Sequence, residues 1–177
     1  IEPTGAEKTE KTSSYNIKKI GILIVEDNPQ MLLFLKSELE KKYNIYTADN
    51  GKSGLEKLDL IPLPDLIISD IMMDGMDGYE FYSKLSQSEI HKSIPFIFLS
   101  AKSSPGEKKK GLQKGAIDYI SKPFSMEELE AKIASILQYT HNKKKALLQE
   151  ALQLMENEFG DDQTHAVHSI NMFIKKY

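Results

Sequence analysis

The sequence contains no cysteine and no arginine among its 177 residues. Without cysteine the chain can form neither a disulfide nor a thiolate zinc site, which fits a reducing cytosol. Arginine makes the commonest specific contact with guanine, and here all 23 basic residues are lysines. The formal net charge of −3 gives no broad attraction to nucleic acid or to an anionic membrane. We therefore expect no direct nucleic-acid binding by this chain, no membrane association and a cytoplasmic location.

Long hydrophobic runs are absent as well. No segment approaches the roughly 20 consecutive apolar residues of a transmembrane helix, and no signal peptide is recognisable. Residues 1–17 are rich in Glu, Lys, Thr and Ser and have almost nothing to bury, so they are predicted to form a flexible linker. The chain begins with Ile1 rather than Met, and we expect it to be a fragment of a longer protein.

Apolar segments of strand length alternate with segments of helical periodicity. The predicted strands are 20–25, 44–48, the run from Leu66 that leads to Asp70, 94–99 and 117–120. Continuous apolar runs rich in β-branched residues are typical of strands buried on both faces of a parallel sheet. The alternation predicts an α/β fold over residues 18–140, with a doubly wound, flavodoxin-like sheet of five parallel strands in the order 2-1-3-4-5.

A helical pattern without Gly or Pro extends from residue 126 to residue 159, and its first apolar stripe is predicted to face the sheet. A second stripe follows in the helical extension, 141–177, and consists of Leu148, Leu152, Met155 and Phe159. Unless the helix bends, the second stripe cannot pack on the same sheet as the first, so it needs another partner. One interpretation is a coiled coil with a second copy. The other is a helical hairpin that turns at 160–162 and packs on Val167, Ile170, Phe173 and Ile174.

Acidic residues follow two neighbouring strands of the predicted sheet. Glu26 and Asp27 end the first strand and Asp70 ends the third. The carboxyl edge of such a sheet is where ligands bind, and three carboxylates close together repel one another unless a cation neutralises them. Oxygen ligands without His or Cys select a hard ion, so we predict a Mg²⁺ site.

A hydroxyl and an ammonium complete this edge. Ser100 ends the fourth strand, Lys122 ends the fifth, and the small Ala101 leaves room beside Ser100. Opposite a metal-bound carboxylate, these groups would form a pocket for a tetrahedral dianion. Asp70 is then the predicted nucleophile, forming an aspartyl phosphate.

Together these residues resemble the receiver domain of bacterial two-component response regulators. The segments that carry the resemblance are 22–28, 64–70, 76–78, 99–101 and 115–124. The resemblance implies that Asp70 accepts a phosphoryl group from a sensor histidine kinase or a phosphotransfer protein. It also implies that Asp27, Asp70 and the carbonyl of Met72 hold Mg²⁺, with Glu26 acting partly through water. The bond between Lys122 and Pro123 should be cis.

The resemblance further implies a conformational switch. Ser100 should move to bond the phosphoryl group, and Tyr119, at the position of the family's switch aromatic, should turn inward. The face formed by the predicted helix 105–114, the fifth strand and the next helix would change. A homodimer could form through this face or through the helical tail.

The loop after Asp70 departs from the family's usual sequence at one position, and two further positions bear on the lifetime of the phosphate. The family usually has Pro where this chain has Asp74, which adds a carboxylate near the predicted metal and loosens the loop. Met72 and Lys102 occupy positions that tune the lifetime of the phosphate in the family.

The same residues leave two alternatives to a signalling switch. A Mg²⁺-dependent α/β phosphohydrolase would have a second acid two residues after its nucleophile, where this chain has Met72. A phosphorylation-independent interaction module would not need Glu26, Asp27, Asp70, Ser100 and Lys122 together. We expect a module that is not an enzyme beyond its own phosphorylation and dephosphorylation. Its parent protein could be a hybrid histidine kinase or a regulator with a separate output domain.

Overall fold

A computed structural model describes residues 19–101 and 118–159, with side chains described as far as residue 154. Its strands are β1 (Gly21–Val25), β2 (Asn44–Ala48), β3 (Leu66–Asp70), β4 (Phe96–Ser100) and β5 (Asp118–Ser121). The helices of this part of the chain are α1 (Pro29–Leu39), α2 (Gly51–Leu58), α3 (Gly78–Ser86) and α4 (Met126–Phe159). The linker 1–17, the predicted helix 105–114, Lys102 and the end of the extension lie outside the described residues.

The five strands form one parallel sheet in the order β2-β1-β3-β4-β5, as the sequence predicted. The chain order reverses between β1 and β3, and in doubly wound sheets the ligand crevice lies at such a reversal. Val25 on β1 is in register with Ser69 on β3, and Asp70 is in register with Leu99 on β4. The carboxyl ends of these strands are therefore level with one another.

Both faces of the sheet are covered. The side chains on one face pack with α2 and α3, and they include Leu23, Val25, Ile67, Phe96 and Phe98. Those on the other face pack with α1 and α4, and they include Ile22, Ile24, Leu66, Ile68, Ile97 and Leu99. Because alternate residues of a central strand are buried on opposite faces, β1 and β4 are largely apolar. The edge strands β2 and β5 are only partly buried and include polar residues.

Side chains at the helix starts satisfy the free backbone N–H groups there. Asn28 accepts hydrogen bonds from the N–H groups of Gln30 and Met31, ahead of Pro29 at the first turn of α1. Ser125 accepts a bond from the N–H of Glu128 at 3.1 Å. Helix α1 ends at Leu39, whose carbonyl accepts hydrogen bonds from the backbone N–H groups of Lys42 and Tyr43, each at 3.0 Å.

Helix α4 has 34 residues, about 50 Å at 1.5 Å per residue, and runs without a break through residues 140 and 141. Its first half is anchored in the core by Leu129, Ile133 and Ile136, which are at most 5% exposed. In its second half Leu152 is 6% exposed, and this burial occurs within a single chain. None of the described helices is both long enough and apolar enough to cross a lipid bilayer.

Candidate functional site

The three acidic residues converge at the carboxyl edge of the sheet. Oxygens of the Glu26, Asp27 and Asp70 carboxylates all lie within 4.8 Å of one another. Glu26 and Asp70 are buried, whereas Asp27 is exposed at the mouth of the cluster. The parallel register brings the ends of β1 and β3 side by side, and this juxtaposition creates the cluster.

An ammonium group bridges the two buried acids. Lys122 Nζ donates to Glu26 Oε2 and to Asp70 Oδ2, each at 2.7 Å. The backbone N–H of Lys122 donates to the Ser100 carbonyl at 2.7 Å, which ties the end of β5 to the end of β4. The peptide bond between Lys122 and Pro123 is cis, as the resemblance implied.

Burial and crowding perturb the charges of this cluster. Burial raises the pKa of Glu26 above 4.5, and the nearby Asp70 charge raises it further, against the opposing hydrogen bond from Lys122. Burial alone would lower the pKa of Lys122, but its bonds to Asp70 and Glu26 and their charges raise it overall. Lys122 is thus held as a cation, and the carboxylates remain short of positive charge.

The residues present fit a hard divalent cation. Three carboxylates and one ammonium carry a formal charge of −2, and all the acidic ligand atoms are oxygens. Met72 lies beside the cluster, where its backbone N–H donates to Asp70 Oδ1 at 3.3 Å. The Met72 side chain itself is 60% exposed and points away from the core.

The remaining predicted residues lie on β4 and β5. Ser100 is 5% exposed at the end of β4, and Ala101 directly after it is exposed. Tyr119 on β5 is buried and stacks on Phe98, with ring centroids 5.0 Å apart. Burial raises the pKa of Tyr119, and the hydroxyl of Tyr79 raises it further. The ring is therefore buried against Phe98 in this structure, and its response to phosphorylation stays a prediction.

Asp74 does not join the acidic cluster found among the described residues. It lines an open cleft of about 700 Å³ between α2 and α3, together with Lys52, Glu80 and Lys84. The next residue, Gly75, has φ of +79°, a left-handed conformation that favours glycine. The loop turns there, and the effect of the Asp74 carboxylate on metal binding stays a prediction.

Two residues that contact the Asp70 backbone, Ser69 and Gly78, were not predicted from the sequence to have a role. Ser69 donates a hydrogen bond to the Asp70 carbonyl at 2.8 Å. Gly78, the first residue of α3, packs directly on the same carbonyl. The sequence does show a single serine within an apolar strand and a glycine at a helix start. Neither feature indicates that the residue contacts the Asp70 carbonyl.

Comparisons with known proteins identify the family. Residues 22–134 match the family model of the response regulator receiver domain. The chain is 43% identical over 150 residues to hybrid signal transduction histidine kinase D of Dictyostelium discoideum, covering 82% of this chain and 10% of that protein. It is 44% identical over 117 residues to the response regulator ArlR of Staphylococcus aureus, covering 66% of this chain and 52% of that protein.

Solved structures have the same architecture. The signal receiver domain of a histidine kinase from Syntrophus aciditrophicus is 37% identical, with a TM-score of 0.61 over 67% of this chain and 89% of that one. A putative response regulator from Chloroflexus aurantiacus is 31% identical, with a TM-score of 0.64 over 68% and 99% of the two chains. The curated relatives are longer proteins, since the chain spans about half of ArlR and a tenth of the hybrid kinase. The resemblance seen in the motifs is confirmed: this chain belongs to the response regulator receiver domain family, the phosphoryl-accepting signalling switches of two-component systems.

Proposed function

We propose that Asp70 is the phosphoacceptor of this receiver domain. A carboxylate oxygen of Asp70 attacks the phosphorus of a phosphohistidine on a sensor histidine kinase or phosphotransfer protein. The new oxygen–phosphorus bond forms as the nitrogen–phosphorus bond breaks, and the donor imidazole keeps the bonding electron pair. The observation that carries this proposal is the Asp70 carboxylate at the carboxyl edge of the sheet, 2.7 Å from Lys122 and clustered with two further acids.

The neighbouring groups of the chain would stabilise the transferred phosphoryl group. Lys122 supplies a fixed positive charge, and Ser100 supplies a hydroxyl at the end of the adjacent strand. The small, exposed Ala101 leaves the approach to Ser100 open, and Pro123 continues the chain behind Lys122. Such positioning and charge neutralisation are what phosphoryl transfer chiefly requires.

The deficit of positive charge supports a bound Mg²⁺. Glu26, Asp27, Asp70 and the carbonyl of Met72 would hold it, with Glu26 acting partly through water. The ion would supply the charge that allows a phosphoryl group to approach three carboxylates.

The place of this module within a larger protein is also a proposal. We infer a linker over 1–17, the receiver domain over 18–140 and a helical extension over 141–177, in the cytoplasm. The relatives include a hybrid kinase and a response regulator, and either kind of parent would fit. Phosphorylation would act through Ser100 and Tyr119 on the face around β5, which together with the tail remains a candidate surface for a homodimer.

Phosphorylation by a small-molecule donor tests the acceptor without a cognate kinase. The full chain is incubated with phosphoramidate and MgCl₂ and followed by intact-mass spectrometry. We expect the wild type to gain one phosphoryl group, Asp70→Asn to gain none, and the matched variant Asp74→Asn to be labelled like the wild type. Labelling of Asp70→Asn would overturn the assignment.

The same preparation separates the two alternatives, neither of which the comparisons favour. We expect no multiple turnover of a generic phosphate ester such as p-nitrophenyl phosphate, which a phosphohydrolase would cleave. We expect beryllofluoride with Mg²⁺ to perturb the backbone amide resonances around Asp70 and Ser100. An unperturbed spectrum would instead support a phosphorylation-independent module.

A further inference from the structure

The backbone carbonyl of Asp70 is contacted from two directions. Ser69, which is 0% exposed, donates its hydroxyl proton to this oxygen over 2.8 Å. From the side of α3, Gly78 is so close that a Cβ built on it would lie 2.2 Å from the Asp70 oxygen and 2.9 Å from the Ile71 Cα. No side chain can occupy that space unless the backbone moves.

Packing alone does not explain a serine at position 69. Ser69 lies in register between Val25 and Phe98, both 0% exposed, on an apolar face of the sheet. A buried hydroxyl costs free energy unless it is hydrogen-bonded, and alanine would fill nearly the same volume without that cost. What serine adds over alanine is therefore its bond to the Asp70 carbonyl.

These contacts fix the peptide plane between Asp70 and Ile71 at both ends. Its oxygen is held by Ser69 and abutted by Gly78, and its N–H donates to the Leu99 carbonyl on β4 at 3.1 Å. Gly78 also donates its N–H to the Ile71 carbonyl at 2.9 Å, which locks the start of α3 onto the end of β3. The orientation of this peptide then determines where the following backbone lies.

The next N–H along the chain connects the fixed peptide to the acceptor carboxylate. Met72 N–H donates to Asp70 Oδ1 at 3.3 Å, while Lys122 binds Oδ2 at 2.7 Å. A rotated peptide at 70–71 would carry the Met72 N–H away and leave the carboxylate restrained at one oxygen only. A small misplacement of a reacting group is enough to slow a reaction markedly.

We propose that Ser69 and Gly78 are positioning residues for the Asp70 carboxylate, acting through the peptide bond between Asp70 and Ile71. This inference rests on the proposed function of Asp70 as phosphoacceptor. In this proposal, the Ser69 hydroxyl and the first residue of α3 hold the Asp70 carboxylate in the orientation that it needs to accept the phosphoryl group.

The first test compares labelling rates with phosphoramidate and MgCl₂ on the full chain. We expect Ser69→Ala to be labelled about tenfold more slowly than the wild type, as the loss of one orienting hydrogen bond implies. The matched control is Ile68→Val, a loss of one buried methylene from the adjacent residue on the other face, which we expect to leave the rate unchanged. We expect Gly78→Ala to be slower than Ser69→Ala, with Gly21→Ala at the far end of the sheet as its control.

The second test reads the carboxylate directly, without donor or metal. The backbone amide resonance of Met72 reports its bond to Asp70 Oδ1, and we expect it to shift in Ser69→Ala and to stay in place in Ile68→Val. A wild-type rate and an unmoved Met72 resonance in Ser69→Ala would overturn the inference, as would equal slowing in Ile68→Val. If the wild type itself takes no label, the proposed function fails, and the Met72 resonance still decides whether Ser69 positions the carboxylate.

Discussion

The two buried acids of the site depend on one lysine. Lys122 is 18% exposed and bonds both Glu26 and Asp70, whose side chains are 1% and 10% exposed. A buried ion pair is not in itself strongly stabilising, but removing one partner leaves the other charge buried and uncompensated. A single substitution at Lys122 would therefore leave two buried carboxylates without a countercharge and lower the stability of the fold.

Replacing this lysine should destabilise the fold at neutral pH. We expect Lys122→Met to lower the free energy of unfolding by about 3 kcal/mol, because two buried carboxylates lose their countercharge. Lys132→Met, which removes the more exposed pair with Asp118 (2.9 Å), should change it by less than about 1 kcal/mol. Urea unfolding in EDTA measures both, and equal effects would contradict this account.

The raised pKa of Glu26 should make stability depend on pH. The folded state keeps the Glu26 proton to a higher pH than the unfolded state does, so folded protein binds more protons in that window. The free energy of unfolding contributed by Glu26 therefore falls as pH rises from about 4.5 through the raised pKa.

Glu26→Gln should remove this fall, because the amide does not titrate and its oxygen can still accept a bond from Lys122. We expect the stability of Glu26→Gln relative to the wild type to increase between pH about 4.5 and about 7 in EDTA. Urea unfolding of both proteins across this range checks it. A constant difference would show that Glu26 ionises as freely in the folded state as in the unfolded chain.

At the scale of elements, α4 serves two purposes along its length. Its first half supplies Leu129, Ile133 and Ile136 to the core shared with α1 and the sheet. Further along, Tyr139, Leu147 and Leu154 are each about 60% exposed. The helix therefore closes the domain and also projects an apolar surface beyond it.

Substitutions along α4 should differ sharply in cost. We expect Ile133→Ala to lower the free energy of unfolding by about 3 kcal/mol, because it opens a cavity in the core. Leu147→Ala should change it by less than about 0.5 kcal/mol, because its side chain is mostly in water. Urea unfolding with far-UV circular dichroism measures both. A comparable loss in Leu147→Ala would show that Leu147 packs against another part of the protein.

For the whole molecule, the burial of Leu152 bears on the function of the tail. Leu152 is 6% exposed in a single chain, so a second copy is not needed to cover it. On this observation we expect packing within one chain, and the choice between a hairpin and a two-stranded coiled coil stays a prediction. The residues proposed as the hairpin partner lie outside the described residues, so the choice rests on Leu152.

Sedimentation of the unphosphorylated full chain tests this choice. We expect a monomer, and we expect Leu152→Asp to keep the monomer mass while losing helical signal, because a charge would be placed in a covered apolar contact. Leu154→Asp, at an exposed position of the same helix, is the matched control and should change neither quantity. A wild-type dimer that Leu152→Asp dissociates would establish the coiled coil.

Local sequence was enough to predict the fold and the positions of the acidic residues. Segments such as Ile22–Val25 and Leu66–Ile68 are apolar throughout because both faces of each strand are buried, and this leaves a mark on every residue. Asn28 with Pro29 marks a helix start through the hydrogen bonds of the backbone itself. Such features depend on neighbours in sequence, so they can be recognised without the tertiary structure.

The sequence by itself determined the five strands, their burial on both faces, and the set of oxygen, hydroxyl and ammonium groups at the strand ends. Only the tertiary structure decided that Lys122 bonds Glu26 as well as Asp70, that Asp74 turns into a separate cleft, and that Gly78 packs on the acceptor carbonyl. The physical reason is distance along the chain. Burial patterns are properties of single segments, whereas a hydrogen bond or a backbone contact between distant segments depends on angles and ångström separations that no local pattern encodes.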